Sequence, residues 1–284
     1  MLKIKYGANM AIFVNQELVE TFNFPGGECH VKITSESINN ETSVHAHLNN
    51  SDDIMCLILT IDAIRRANHE TRIFLTIPYF PYGRQDRVCN EGESLSIKVM
   101  ADIINNLHCT SITIYDPHSD VTPALLRNCK VITLADIIAK SFLAKEIHEK
   151  NMTLVSPDAG AEKKIQAVAK KISNDVKPIH IVYARKTREL ATGRIITTEI
   201  LGQTKNNACM ILDDICDGGK TFIEIAKVLK NSGTKNIYLY VTHGIFSKGL
   251  DVLREYFSHI YCCHTFLNEE RVDRKFLTIL GAPL

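Results

Sequence analysis

Short apolar runs alternate with amphipathic stretches along most of the chain. The runs are Arg72–Pro78, Ser111–Asp116, Thr153–Ser156, His180–Tyr183, Cys209–Leu212 and Asn236–Val241. They are rich in β-branched residues and show little alternation, which predicts strands covered on both faces. Between them, Ile54, Leu57, Ile58, Ile61 and Ile64 recur at helical spacing, with Ser51 or Asp52 placed to cap that helix. Ser94 is placed to cap a helix bearing Leu95, Val99, Ile103 and Leu107. Further helices are expected over Ala135–Lys150, Ala161–Ile172 and Lys220–Asn231, the last ended by Ser232-Gly233. Strand–helix alternation predicts parallel sheets with right-handed crossovers. The pattern runs twice and divides near residues 135–150. Two α/β domains are therefore expected, 1–140 and 141–284, each a mainly parallel sheet flanked by helices.

Composition narrows the class. At 284 residues the chain is long enough for one large domain or two ordinary ones, and 45% hydrophobic with 23% charged residues excludes a wholly disordered or fibrous chain. Lys+Arg 33 against Asp+Glu 32 gives a net charge of +1, which gives no push toward nucleic-acid binding. The start, Met1-Leu2-Lys3-Ile4-Lys5, does not lead into an apolar segment of signal length, and the run Ile54–Leu59 is too short to span a bilayer. A cytoplasmic protein with neither nucleic-acid nor membrane partners is expected. The 9 cysteines are scattered without a C-x-x-C pair, so buried or incidental thiols in a reducing compartment are expected rather than zinc or disulfides.

The most informative segment is Ala208–Thr221, in which an apolar strand reaches Asp213-Asp214 and a small-residue turn, Asp217-Gly218-Gly219, opens into Lys220-Thr221 and a helix. Ligands of open α/β sheets sit at the carboxyl ends of strands. A helix N-terminus offers N–H groups and a positive dipole end to phosphate, and glycines let the backbone come close. The acids suit sugar hydroxyls or a metal. Together they describe a ribose-phosphate site. A Walker A loop needs glycine where Asp214 stands, so that motif fails. An ordinary acidic turn capping a helix is the plain alternative. The segment resembles the phosphoribosyl-pyrophosphate (PRPP) loop of the type I phosphoribosyltransferase fold.

Other motifs point to one family of that fold. Ile77–Arg87, with Arg84, Gln85, Asp86 and Arg87, resembles the ATP-site segment of the ribose-phosphate pyrophosphokinases, or PRPP synthetases. Arginine stacks on purines and neutralises phosphate; a polar surface loop is the bland alternative. Asp116-Pro117-His118-Ser119-Asp120 resembles the D-x-H segment whose histidine helps hold magnesium. Val155–Gly160 resembles the family's S-P-D-x-G stretch, in which Asp158 serves magnesium and Ala159, Gly160 and Ala161 face pyrophosphate; Ala161 replaces a usual second glycine. Helix capping is the alternative role for Asp158. Lys186 and Arg188 best match the K-x-R pair of a loop that closes over the transferring phosphates, with Arg185 as the alternative register and Thr192-Gly193 departing from the commonest sequence. Phe24-Pro25-Gly26-Gly27-Glu28 resembles the segment reaching into a neighbouring subunit's ATP site; Gly26 stands where an acid or amide is usual, and a P-G-G turn is the alternative. Thr242–Ser247 also resembles the family and carries no assigned chemistry.

The resemblance implies two similar phosphoribosyltransferase-type domains and a ribose-phosphate diphosphokinase that uses magnesium to convert ATP and ribose 5-phosphate to AMP and PRPP. It implies a homo-oligomer with shared ATP sites. The N-terminus looks shortened, without a first helix, so altered subunit contacts are expected. The alternatives are a phosphoribosyltransferase that consumes PRPP and a non-catalytic regulatory subunit.

Overall fold

A computed structural model describes residues 11–173, 178–188, 195–204 and 207–281. The chain divides into two compact units, Met1–Ile132 and Thr133–Leu284. Among the described residues no helix is long and apolar enough to cross a membrane.

The first unit contains β1 (Ala11–Val14), β2 (Glu17–Leu18), β3 (Glu20–Asn23), β4 (Cys29–Lys32), β5 (Glu41–His47), α1 (Ser51–Ala67), β6 (Arg72–Ile77), α2 (Ser96–Asn105), β7 (Ser111–Tyr115), α3 (Val121–Leu125) and β8 (Cys129–Ile132). Among the described residues its main sheet has six strands in the order β2-β1-β5-β6-β7-β8. β5 to β8 run parallel, while β1 pairs antiparallel with both β2 and β5. β3 and β4 form a separate antiparallel hairpin. Val44, Ala46, Leu75 and Ile77 of the sheet share one core with Leu57, Ile61 and Ile64 of α1 and Ile97, Met100 and Ile104 of α2.

The second unit contains α4 (Leu134–Lys140), α5 (Leu143–Glu149), β9 (Thr153–Ser156), α6 (Glu162–Ile172), β10 (Ile181–Arg188), β11 (Ile195–Leu201), β12 (Ala208–Cys216), α7 (Lys220–Asn231), β13 (Asn236–Gly244), α8 (Asp251–Arg254), β14 (His259–Thr265) and β15 (Leu277–Ile279). Its seven described strands are ordered β11-β10-β9-β12-β13-β14-β15. All pairs are parallel except β10–β11. Ala208 to Leu212 are all buried, as a strand covered on both faces requires.

The mainly parallel α/β architecture expected from the pattern is present in both units. Several local expectations are corrected. α1 is capped by Asn50, not Ser51 or Asp52: the Asn50 side chain accepts from the Asp53 N–H at 3.0 Å, and Asp53 accepts the Asn50 N–H in return. Ser94 does not cap α2, whose N-cap is Leu95; its hydroxyl lies 2.8 Å from that of Ser96. The single helix expected over Ala135–Lys150 is two. Ser141 takes an extended backbone, donates to the Ile138 carbonyl at 2.9 Å and accepts the Leu143 N–H at 3.2 Å, ending one helix and starting the next. The boundary falls at 132/133 rather than 140/141, because α4 belongs with α6 and is tied to it by an Asp136–Lys171 ion pair.

Candidate active site

β9 and β12 lie side by side, with Val155 opposite Ile211, and both carry expected site residues at their carboxyl ends. β12 continues to Cys216, so Asp213 and Asp214 are strand residues, and the strand lengthens because Asp213 and Ile215 still pair with Val241 and His243 of β13. Burial pushes the Asp213 carboxyl well above the usual carboxylate range, and the Asp214 and Asp158 charges push the same way. Lys164 of α6 brings its ammonium 3.9 Å from the Asp214 carboxylate.

Past Cys216, Asp217-Gly218-Gly219 turn the chain into α7. Gly219 is left-handed (φ 77°), and a Cβ there would lie 2.8 Å from Leu253. Only glycine meets both conditions without strain. No side chain caps α7, so its first N–H groups, at Lys220 and Thr221, stand at an end open to an anion.

The turn after β9 is finished differently. Asp158 Oδ1 accepts the Ala161 N–H at 3.1 Å, and the Ser156 hydroxyl donates to the Asp158 carbonyl at 2.9 Å. Asp158 therefore does brace the start of α6. Ala159 and Gly160 are exposed, whereas Ala161 is buried.

Lys186 and Arg188 fall on strand β10, not on a loop, because Lys186 pairs with Thr198 and Arg188 with Ile195 of β11, with a register shift between Thr187 and Arg188. The rest of the expected closing segment, including Thr192-Gly193, lies outside the described residues. Arg185, the alternative register, forms an ion pair with Glu162 at the start of α6.

In the first unit, the segment after β6 docks on α2 through the Ile97 N–H, which donates to the Gln85 carbonyl at 3.4 Å. Arg84, Gln85 and Arg87 are exposed. Burial pushes the Asp86 carboxyl up, but Ser119, Arg87 and the His118 charge outweigh it and hold it below its ordinary value. The structure thus brings the Asp86-Arg87 pair together with the His118 segment. His118 itself is exposed, following the buried Asp116. Phe24 stands 47% exposed in the turn between β3 and β4, its ring centroid 5.1 Å from that of Phe22. Pro25, Gly26 and Gly27 form a turn in which the Phe24 N–H donates to the Glu28 carbonyl at 2.8 Å.

Among the described residues no group of three or more His, Cys, Asp or Glu forms a ready metal cage. Mg²⁺ is usually held by one or two carboxylates plus substrate phosphates rather than by a full protein cage. The Asp214 and Asp158 charges both act on Asp213, and a cation held by one or two of these carboxylates would relieve that repulsion. The donor set of the second unit fits Mg²⁺ on those terms; His118 belongs to the first unit and Asp158 to the second.

Three charged residues at these turns escape a reading of the sequence: Glu162, Lys164 and Lys248. The first two lie within the helix that follows Asp158, where they resemble any solvated helical charge. Lys248 meets the turn at Gly218 from a distant part of the chain, its Cε 3.5 Å from where a Cβ on Gly218 would stand.

Comparison with known proteins identifies the family and the fold. Residues 9–107 match the N-terminal domain of ribose phosphate pyrophosphokinase. Residues 124–272 match the phosphoribosyl transferase domain. The ribose-phosphate pyrophosphokinase of Mycoplasmopsis pulmonis is 33% identical over 207 residues, covering 72% of this chain and 62% of that protein. That of Mycoplasma pneumoniae is 30% identical over 238 residues, covering 81% of this chain and 69% of that protein. The chain thus spans about three fifths of the length of the first of these relatives. The crystal structure of phosphoribosylpyrophosphate synthetase from Mycobacterium smegmatis superimposes with a TM-score of 0.75 at 21% identity, covering 93% of this chain and 85% of that one, a likeness of fold.

Proposed function

The chain belongs to the ribose-phosphate pyrophosphokinase family, and from that premise we propose that it transfers the β,γ-pyrophosphoryl group of ATP to the C1 hydroxyl of ribose 5-phosphate. The sugar oxygen forms a bond to the β-phosphorus, the bond from that phosphorus to the α,β-bridging oxygen breaks, and AMP leaves while the hydroxyl proton passes to solvent. Both substrates are anions. The protein must hold them in line and meet the charge of the moving group, so positioning and electrostatics carry the work.

The observation that carries the reading is the open end of α7 after Gly219, directly following the Asp213-Asp214 pair. The amides from Asp217 to Thr221 seat the 5-phosphate, and the two acids hold the ribose hydroxyls. Arg84, Gln85, Asp86 and Arg87 hold ATP, with Phe24, Gly26, Gly27 and Glu28 of a neighbouring subunit completing that site in a homo-oligomer. Ala159, Gly160 and Ala161 face the pyrophosphate. His118 in the first unit and Asp158 in the second would each serve as a Mg²⁺ ligand, and the cation would neutralise phosphate charge. Lys186 and Arg188 meet the charge of the transferring group. The reaction is placed in the cytoplasm.

A phosphoribosyltransferase has no need of an N-terminal nucleotide segment, and residues 9–107 match that domain of the pyrophosphokinases. A regulatory subunit stripped of its chemistry would not keep Asp158, Lys186, Arg188, Asp213 and Asp214 together. Purified protein given ATP, ribose 5-phosphate and Mg²⁺ should form AMP and PRPP in equal, sugar-dependent amounts. ADP in place of AMP would mean single-phosphoryl transfer and contradict the proposal. Folded protein that binds ATP without turnover would favour the regulatory subunit.

A further inference from the structure

We propose that Lys248 is a substrate-binding residue whose ammonium neutralises the 5-phosphate seated on the open end of α7. The inference rests on the ribose 5-phosphate reading of that turn.

A phosphate approaching this turn meets a charge problem. The acids Asp213, Asp214 and Asp217 lie on the incoming strand and turn. The helix end offers only about half a unit of positive charge. Lys220, the first residue of α7, supplies one full cation, and a dianion held beside three acids calls for another. Lys248 is placed to provide one. Its stem runs along Gly218, with Cε 3.5 Å, Cδ 3.6 Å and Cγ 3.8 Å from the position of a Cβ on that glycine. The ammonium is one bond beyond Cε and is therefore close to Gly218. A side chain longer than alanine at 218 would lift the stem away.

The backbone that delivers Lys248 is fixed to the same strand end. The Ile245 and Phe246 N–H groups both donate to the Cys216 carbonyl, at 2.9 and 3.0 Å. The Gly249 N–H donates to the Phe246 carbonyl at 2.8 Å, and Gly249 takes the left-handed conformation (φ 74°) that closes the turn around Lys248. Phe246 is buried against Gly244, where any Cβ would run into its ring. The residue whose carbonyl holds this second turn therefore immediately precedes the phosphate turn, and the cation and the amides are held in one frame. Lys248 is exposed, which suits a group that meets a diffusing ligand.

The test compares the full chain with Lys248→Met and Lys248→Arg, each first shown to keep the wild-type melting temperature. Lys248→Met should raise KM for ribose 5-phosphate about tenfold or more and leave KM for ATP unchanged, with Lys248→Arg recovering most of the loss. A purely structural lysine would not split the two KM values. Unchanged KM for the sugar phosphate in Lys248→Met overturns the assignment, as does an equal rise in both KM values. If wild-type protein makes no PRPP, the reaction reading has failed separately. Calorimetric titration with ribose 5-phosphate then decides: weaker binding by Lys248→Met sustains the assignment, and equal binding, or none by wild type, overturns it.

Discussion

Two adjacent parallel strands, β9 and β12, each run into a tight turn that feeds a helix, and the N-cap residue of neither helix, Ala161 or Gly219, makes a side-chain cap, yet the two turns differ. After β9, Asp158 turns its own carboxylate onto the Ala161 N–H. After β12, Gly219 leaves α7 with no side-chain cap. A carboxylate that takes up one N–H leaves an anion one donor fewer, while a start without such an acceptor keeps its N–H groups and dipole to give. The same local architecture thus yields two seats. The open one suits the 5-phosphate directly. The braced one presents a carboxylate and suits a phosphate that arrives with a cation.

The largest effect expected lies outside both turns. If the turns bind and β10 supplies the charge that meets the transferring group, Lys186→Ala lowers kcat about 100-fold or more with ATP affinity little changed. A near-normal kcat would remove Lys186 from that role. The next effect separates the two glycine requirements. Gly219→Ala forces a left-handed alanine into Leu253 and should cost roughly 1–3 kcal/mol with a raised KM for ribose 5-phosphate. Gly160→Ala meets only the Asp158 carboxylate, at 3.3 Å, and should cost under about 1 kcal/mol. Equal losses in thermal denaturation would erase the distinction between the turns.

Asp158 is the residue on which the comparison can be sharpened. Asp158→Ala removes the acceptor for the Ala161 N–H and should cost about 1 kcal/mol. Asp158→Asn keeps an acceptor there but loses the charge, so melting temperature should hold while the Mg²⁺ concentration needed for turnover rises. Were the asparagine variant as unstable as the alanine one with normal Mg²⁺ dependence, Asp158 would be a cap alone.

The smallest effect concerns Asp213. Burial and the Asp214 charge raise its affinity for a proton in the fold above that in the unfolded chain. Ionisation therefore costs stability as pH rises through the raised value, and the cost vanishes below the ordinary carboxylate range, where both states are protonated. Without substrates, Asp213→Asn should melt above wild type at about pH 8 and converge with it in acid. A variant less stable at the higher pH would contradict the burial argument.

The buried parallel strands and α7 were legible because an apolar run covered on both faces has a distinctive sequence. β2 was not, since Glu17-Leu18 is two exposed residues held only by pairing with β1. The break at Ser141 was hidden by an apolar pattern that continues across it. The site motifs were legible as residue types, and the strand was legible as far as Asp213-Asp214, but its continuation to Cys216 was not, because pairing with β13, set by the sheet, extends it. Lys248 meets Gly218 only through the carbonyl of Cys216 that anchors its turn, a long-range contact without a local signature.

The contrast between the two helix ends is tested most directly by hydrogen–deuterium exchange on the intact chain with ribose 5-phosphate alone. The account predicts slowed exchange across residues 217–221 and no change across 158–161. Protection of 158–161 instead, or of neither segment at saturating ligand, would contradict it.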